Sequence, residues 1–557
     1  MNTTELRITR TEAIANNGMV NSKHPLAAQA GLDVLKAGGN SVDAAITTAL
    51  AQGVVEPMMS GVGGGGFMVF HEAATSLTHV LDYFMRAPFR ATPDMYEITQ
   101  PEAVNVLGYG GVKDNANATG YRSIGVPGLI AGAQMALQRF GTISLSQALA
   151  PAIALAEDGF EPNWHHVMHC AQNMDVLQSH PSTARVFLKD GHQIHRVPNM
   201  GVGDRVIQAD LARTLKRVAS HGACEFYEGE TAQMIVKDFA AHGNLIDAAD
   251  LASYKPEWRT ARSASYRDFS LHFAPSTGGS TLAETFNILE GYKFDGLSAN
   301  DADTLHLFIE AARIAYADRF TWLADERQPG VPFAHLESKA YAALRREDIH
   351  MDRAAEIIKP WNNPVSKPPE RDATCTTHLS VVDKNHNMVA LTQTINAVWG
   401  SGVMADGTGV LFNNTMVLFD PVPGRRNSIA PGKAPLSSMT PTIVVRNGHP
   451  FMTAGAPGGR QIMGAVMRTI HNVLEFGMNP ADACANIGFD ASAPKTIIDA
   501  ALGDDVIQAL RSRGHALDVR SQNIYPRMFA SPLAIMVDGT QLRAGADPYH
   551  VGEAHGW

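Results

Sequence analysis

Ala, Leu and Val recur at helical spacing through HPLAAQAGLDVLKAGGNSVDAAITTALAQGVVEP, residues 24–57, with a break at Gly38-Gly39. The glycines end one helix, and Ser41 with Asp43 gives the start of a second a capped opening, so two packed helices are expected. SGVGGGGFMVF then leads through Gly61 to Gly66 into a strand beginning near Phe67. From about residue 125 to 350 the pattern is mostly helical, with amphipathic segments in DLARTLKRVASHG, TAQMIVKDFAAHG and DTLHLFIEAARIAYADRFTWLAD, and reads as scaffold.

The period changes after KPWNNPVSKPPERDATC, residues 359–375, whose four prolines and many charges mark a linker. THLSVVD alternates apolar and polar, KNHN carries turn chemistry, and MVALTQTI alternates again, which predicts a β-hairpin. A loop at Asn385-His386 sets Thr376 opposite a point beside Thr394. Further on, PLSSMTPTIVV and PFMTAGAPGGR each join a strand to small residues, so their Ser and Gly backbones are expected to converge at one sheet end.

Composition narrows the classes. A chain of 557 residues, 45% hydrophobic with 49 glycines, has the make-up of a globular enzyme. The formal charge of -10 and the lack of a dense Lys/Arg tract speak against a nucleic-acid or anionic-membrane partner. Cys170, Cys224, Cys375 and Cys484 lie far apart without CxxC spacing, so neither a disulfide framework nor a zinc module is expected. No apolar stretch reads as a signal peptide or membrane span, and a cytoplasmic location is expected. The glycines at 61–66 match GxGxxG but follow a helix and precede a strand, the reverse of the dinucleotide order, so close backbone approach explains them better. His165 and His169 in WHHVMHC are four apart, yet no carboxylate accompanies them in the sequence, so a structural role is expected there, with no metal and no cofactor.

One chemistry fits a hydroxyl at a strand start behind a removable linker. Cutting the Cys375–Thr376 bond gives Thr376 a free α-amine, whose ordinary pKa of about 7.7–8.0 suits it to act as general base for its own hydroxyl. The lack of a GxSxG turn or a nearby His-Asp pair points away from a serine triad.

The runs TTHLSVVDKNHN, TQTINAVWGSG, GVLFNN, PLSSMTPTIVV and APGGR, preceded in order by GGNSVDAA, GGGGFM, FYEG, DLASYKPEWR, STGGSTL and AYADR, resemble the γ-glutamyltransferases, which are N-terminal-nucleophile hydrolases. The likeness covers nearly the whole chain. It implies an α/β fold, a four-layer αββα sandwich made as one precursor that cuts itself into a large subunit, 1–375, and a small one, 376–557. Assembly of that heterodimer into larger oligomers stays open. By the same resemblance Thr376 is the nucleophile and Thr394 the threonine supporting it. Gly458 and Gly459 are similar to the oxyanion pair, where loss of one donor typically costs about 2.7–4 kcal/mol. Asn396, Ser437 and Ser438 match positions that hold the backbone end of the glutamyl group; the bland alternative for the serines is a helix cap or ST-turn.

Two departures stand out. Phe84 in LDYFMRAP occupies the place of the arginine that binds the α-carboxylate, and Arg86 lies two residues on, about 6.6 Å along a strand. NNTMVLFD has Thr415, Val417 and Leu418 where the family places a glutamine and two acids, the second of which binds the α-ammonium. Each charge-assisted hydrogen bond is worth about 1.5–3 kcal/mol, so the pattern favours a small-molecule amide whose acyl group carries an acid but no amine, oxamate-like or glutaryl-like, with water or an amine as acceptor. The segment between Phe419 and Pro435 looks shorter than in members with a lid, which suits hydrolysis or larger substrates. The alternatives are a conventional γ-glutamyl transpeptidase, with Arg86 and Asp420 replacing the lost ions, and a non-enzymatic binding protein that never cuts itself.

Overall fold

Every residue of the helix Ser41–Val55 is buried, Asp43 and Gln52 included. A helix apolar on all sides belongs inside a layered structure, not on its surface. The computed structural model describes residues 8–103, 109–199, 201–362, 374–524 and 528–557. Asn40 is the cap of this helix: its side chain accepts from the N–H groups of Val42 and Asp43, and Asp43 accepts from the Asn40 N–H. The cap is therefore one place earlier than the Ser41 the sequence suggested, and Ser41 is the first helical residue. The preceding helix, Pro25–Lys36, ends before Gly38, whose φ of 97° makes the left-handed turn between the two.

Two seven-stranded antiparallel sheets face each other. The first has the order Glu553–Gly556, Met19–Ser22, Thr374–Val382, Met388–Ala397, Gly65–Glu72, Leu77–Tyr83, Glu257–Thr260. The second has the order Ala13–Ala15, Gln541–Ala546, Leu533–Asp538, His449–Gly455, Thr442–Arg446, Phe269–Phe273, Arg262–Tyr266. Alternate strand positions point to opposite faces. Phe67, Val69 and Val382 of the first sheet accordingly meet Ile443 and Ile535 of the second, while Met68, Phe70 and Val381 face outward onto helices that include Ser41–Val55 and Leu129–Phe140. On the far side Leu271, Val444 and Met452 pack against Gly279–Leu289, Ala302–Trp322 and Gln461–Phe476. The layers run helix, sheet, sheet, helix, the sandwich expected. Both sheets take strands from each side of the Cys375–Thr376 bond, so the two segments share one core.

Three strands between Glu257 and Phe273 interrupt the stretch read as mostly helical. Helix Ala302–Trp322 is not amphipathic: it is buried from Thr304 to Ala312 and from Ile314 to Arg319 because sheet and neighbouring helices enclose it. Most of the proline-rich linker, residues 363–373, lies outside the described residues. The hairpin turns through five residues, since Val382 pairs with Met388 and the Asp383 carboxylate accepts from the N–H groups of Asn385 and Asn387. That moves the register one place from the one expected, and a bulge between Cys375 and Thr377 moves it back, leaving Cys375 opposite Asn396.

Candidate active site

Thr376 sits in that bulge. An extra residue in one strand re-aims its side chain, and here the Thr376 hydroxyl comes to 3.5 Å from the Thr394 hydroxyl. Thr394 donates to the carbonyl oxygen of Cys375 at 2.5 Å and accepts from the Asn396 N–H at 2.7 Å. Asn396 has a φ of 77°, a strained conformation for a residue other than glycine, and its side-chain amide donates to the Thr415 hydroxyl at 2.9 Å. Thr376, Thr394, Asn396 and Thr415 are all buried and form one connected polar group.

The glycines upstream keep the neighbouring backbone close. A Cβ on Gly64 would lie 2.2 Å from the carbonyl oxygen of Thr394, and one on Gly66 would lie 2.3 Å from that of Thr392. Any larger residue would push the strand Gly65–Glu72 away from the hairpin.

The second sheet reaches the same end of the sandwich. Ser380 meets Thr453 across the layer, with their hydroxyls 3.2 Å apart, and a Cβ on Gly455 would strike the His378 ring. Two further residues along each strand lead to Thr376 on one and to Pro457 and Gly458 on the other. Gly458 and Gly459 have φ values of 133° and 61°, and they precede the helix Gln461–Phe476. Because Thr442 pairs with Ala454, Ser437 and Ser438 enter the second sheet from this end too. The Ser437 hydroxyl accepts from the Met439 N–H at 3.2 Å, the local turn foreseen as the bland reading, and the Ser437 carbonyl accepts from Arg319 at 2.7 Å. Ser438 is half-buried.

His378 is no base for these hydroxyls. Its ring is engaged by Thr392 at 2.8 Å and Ser380 at 3.1 Å, and burial pushes its imidazole down to about 3.

The two positions expected to meet the substrate head group lie in apolar surroundings. Phe84 stacks on Phe67 with ring centroids 5.1 Å apart and joins the cluster between the sheets, against which Leu418 also packs. Arg86 pairs with Glu257 at 3.2 Å, and Asp420 pairs with Arg425 at 3.1 Å. Both of the charges considered as replacements are thus held by protein partners. The segment after Phe419 folds on itself, with Lys433 donating to the carbonyls of Arg426 and Ser428.

Three contributors went unassigned from the sequence. Thr377 at 2.9 Å and Gln52 at 2.5 Å both donate to Glu56, and burial, opposed by Lys23 and by these two hydrogen bonds, pushes the Glu56 carboxyl up to about 7. Arg319, buried, donates to the carbonyls of Thr277 and Ser437 and so ties the serine segment to helix Ala302–Trp322. Asn413 donates to the carbonyls of Gly63 and Gly125 and accepts from the Thr415 N–H. The only sequence signals were an acid ending an apolar helix, the run AYADR and the pair Asn413-Asn414.

Comparison with known proteins agrees with this architecture. The sequence profile described as Gamma-glutamyltranspeptidase matches residues 27–557. Acylase ACY 1 proenzyme of Pseudomonas sp. (strain V22) is 38% identical over 531 residues, 95% of this chain and 91% of that protein. Glutathione hydrolase proenzyme of Escherichia coli (strain K12) is 33% identical over 558 residues, 97% and 91% of the two chains. Among solved structures, the cephalosporin acylase from Bacillus halodurans superposes with a TM-score of 0.86 at 28% identity, covering 100% of this chain and 98% of its own.

Proposed function

This chain belongs to the γ-glutamyltranspeptidase family, and on that footing we propose that it is a self-processing amide hydrolase or acyltransferase with Thr376 as nucleophile. The observation that carries the reading is the contact of Thr376 with Thr394, whose hydroxyl in turn donates to the Cys375 carbonyl. In the processing step the Thr376 oxygen adds to the Cys375 carbonyl carbon and the C–N bond breaks, leaving an ester and a free Thr376 amine. Water hydrolyses that ester. The products are a chain ending in the Cys375 carboxylate and one beginning with Thr376, hydroxyl free. The proenzyme names of the relatives support such a cut.

In turnover the new amine takes the hydroxyl proton as oxygen attacks the substrate amide. Gly458 and Gly459 N–H groups receive the developing oxyanion, and a water or amine accepts the acyl group. The acyl group we propose carries an acid and no α-amine, of the oxamate or glutaryl kind. Phe84 and Leu418 share an apolar cluster, and an ammonium brought against them loses hydration without repayment. The acylase relatives support the same direction.

The test compares glutaryl anilide with γ-glutamyl anilide on the cut protein. Each 1.4 kcal/mol of unrepaid desolvation is about tenfold in kcat/KM, and a preference of at least about tenfold for the amine-free substrate is expected. Equal or faster γ-glutamyl turnover overturns the head-group assignment and favours the conventional γ-glutamyl transpeptidase.

A further inference from the structure

We propose that Glu56, His165 and His550 form a binding site for a divalent cation of the zinc class. Glu56 follows the helix Ser41–Val55, His165 lies on the helix Trp164–Gln172, and His550 precedes the strand Glu553–Gly556. All three are buried, and one ligand atom from each lies within 4.8 Å of the others. The Glu56 Oε1 atom stands 3.7 Å from His165 Nδ1 and 3.9 Å from His550 Nε2. Those gaps are too long for hydrogen bonds. They are a few tenths of an ångström above the separation of about 3.4 Å that neighbouring ligands take around a tetrahedral ion with bonds near 2.1 Å.

The two carboxylate oxygens of Glu56 behave differently. Oε2 accepts from Gln52 at 2.5 Å and from Thr377 at 2.9 Å, whereas Oε1, buried and turned towards the histidines, has no hydrogen-bond partner among the described residues. A buried carboxylate oxygen without a donor calls for a cation or a proton. Two imidazoles and one carboxylate are the donor set of zinc and its neighbours, and they suit magnesium or calcium poorly.

The surroundings supply what such a site needs. His165 Nε2 lies 3.0 Å from His169 Nε2, so His169 orients the ring whose Nδ1 faces Glu56. A surface cleft of about 600 Å³ is lined by residues that include Trp164 and Val551, the chain neighbours of the two histidines. The helical pair His165 and His169 lacked a carboxylate in the sequence; the fold brings Glu56 and His550 to it from far along the chain. Since Glu56 Oε2 also holds Thr377, a cation there tightens the strand that carries Thr376. The proposal does not depend on the chemistry given to Thr376.

The test uses the full chain, stripped with a chelator, re-equilibrated with Zn²⁺ or Mg²⁺ and desalted. Metal is counted by inductively coupled plasma mass spectrometry and thermal unfolding is followed in parallel. Uptake of one Zn²⁺ per chain with a rise in Tm is expected, with neither effect from Mg²⁺. Glu56→Gln and His550→Ala should abolish uptake, and His169→Ala should weaken affinity roughly 10- to 100-fold. If a variant fails to fold by circular dichroism, Co²⁺ added to the unmutated chain decides: an intense visible d–d band supports the site and its absence overturns it. No stoichiometric Zn²⁺ uptake, or uptake unchanged in folded Glu56→Gln and His550→Ala, overturns the proposal and leaves Lys23 as the cation that balances Glu56.

Discussion

The Thr394 hydroxyl donates to the carbonyl oxygen of Cys375 at 2.5 Å. A donor on the carbonyl that Thr376 would attack stabilises negative charge there as the tetrahedral intermediate forms. Thr394→Val keeps the shape and deletes the donor, and is expected to slow the appearance of the two fragments by about 10²- to 10³-fold, the usual cost of one oxyanion donor. Time-resolved mass spectrometry of freshly refolded chain measures it. Cutting at an unchanged rate would leave Thr394 as a packing residue.

Thr376→Ala should give an uncut chain with no turnover of any anilide, while Thr376→Ser should still cut, because the serine keeps both hydroxyl and future amine. Intact mass of the purified protein distinguishes the two. Fragments meeting at Cys375/Thr376 in the alanine variant would exclude Thr376 as the processing nucleophile.

Gly458→Ala places a Cβ 2.6 Å from the Ala530 Cβ at a φ of 133°. The backbone must shift, and the N–H group proposed to receive the oxyanion shifts with it. The expected result on the cut protein is a fall in kcat of about 10²-fold or more with little change in KM. A loss confined to KM would place this glycine in substrate binding instead.

The Arg86 side chain is 17% exposed and that of Glu257 44%, and the guanidinium also lies over the Tyr254 ring, so Arg86→Ala should cost roughly 0.5–3 kcal/mol of stability. If the conventional transpeptidase reading held, the same variant would raise KM for a γ-glutamyl anilide strongly. With Arg86 occupied by Glu257, KM for that substrate and for the glutaryl one is expected to stay within about threefold, less than the tenfold that 1.4 kcal/mol would give.

Burial pushes His378 down to about 3 from its ordinary 6.5. The folded state therefore binds fewer protons here than the unfolded one. The stability contribution is complete above about 6.5 and is lost as pH falls towards 3, with a slope of up to about 1.4 kcal/mol per pH unit. Urea midpoints at a series of pH values should fall on acidification, and His378→Gln should flatten the curve. An unchanged slope in the variant would assign the acid lability to other buried histidines such as His471.

Local pattern and near-neighbour chemistry were legible along the chain: the helix pair after His24, the hairpin carrying Thr376, the small residues at Gly458 and Ser437, and the apolar substitutions at Phe84 and Leu418. Each is a statement about residues close in sequence, where periodicity and turn chemistry act directly. The strands between Glu257 and Phe273 were hidden because short alternation inside a long helical stretch is a weak signal, and the encirclement of Ala302–Trp322 because burial on all sides depends on distant partners. The one-residue bulge that aims Thr376 at Thr394 arises from competition between the Asp383-capped turn and the far end of the hairpin, a balance only the folded sheet settles. The pairing of Arg86 with Glu257 and the meeting of Glu56 with His165 and His550 are likewise decided by tertiary structure. Charged and metal-binding side chains act over a few ångströms in space, and chain order does not encode which distant segments come within that reach.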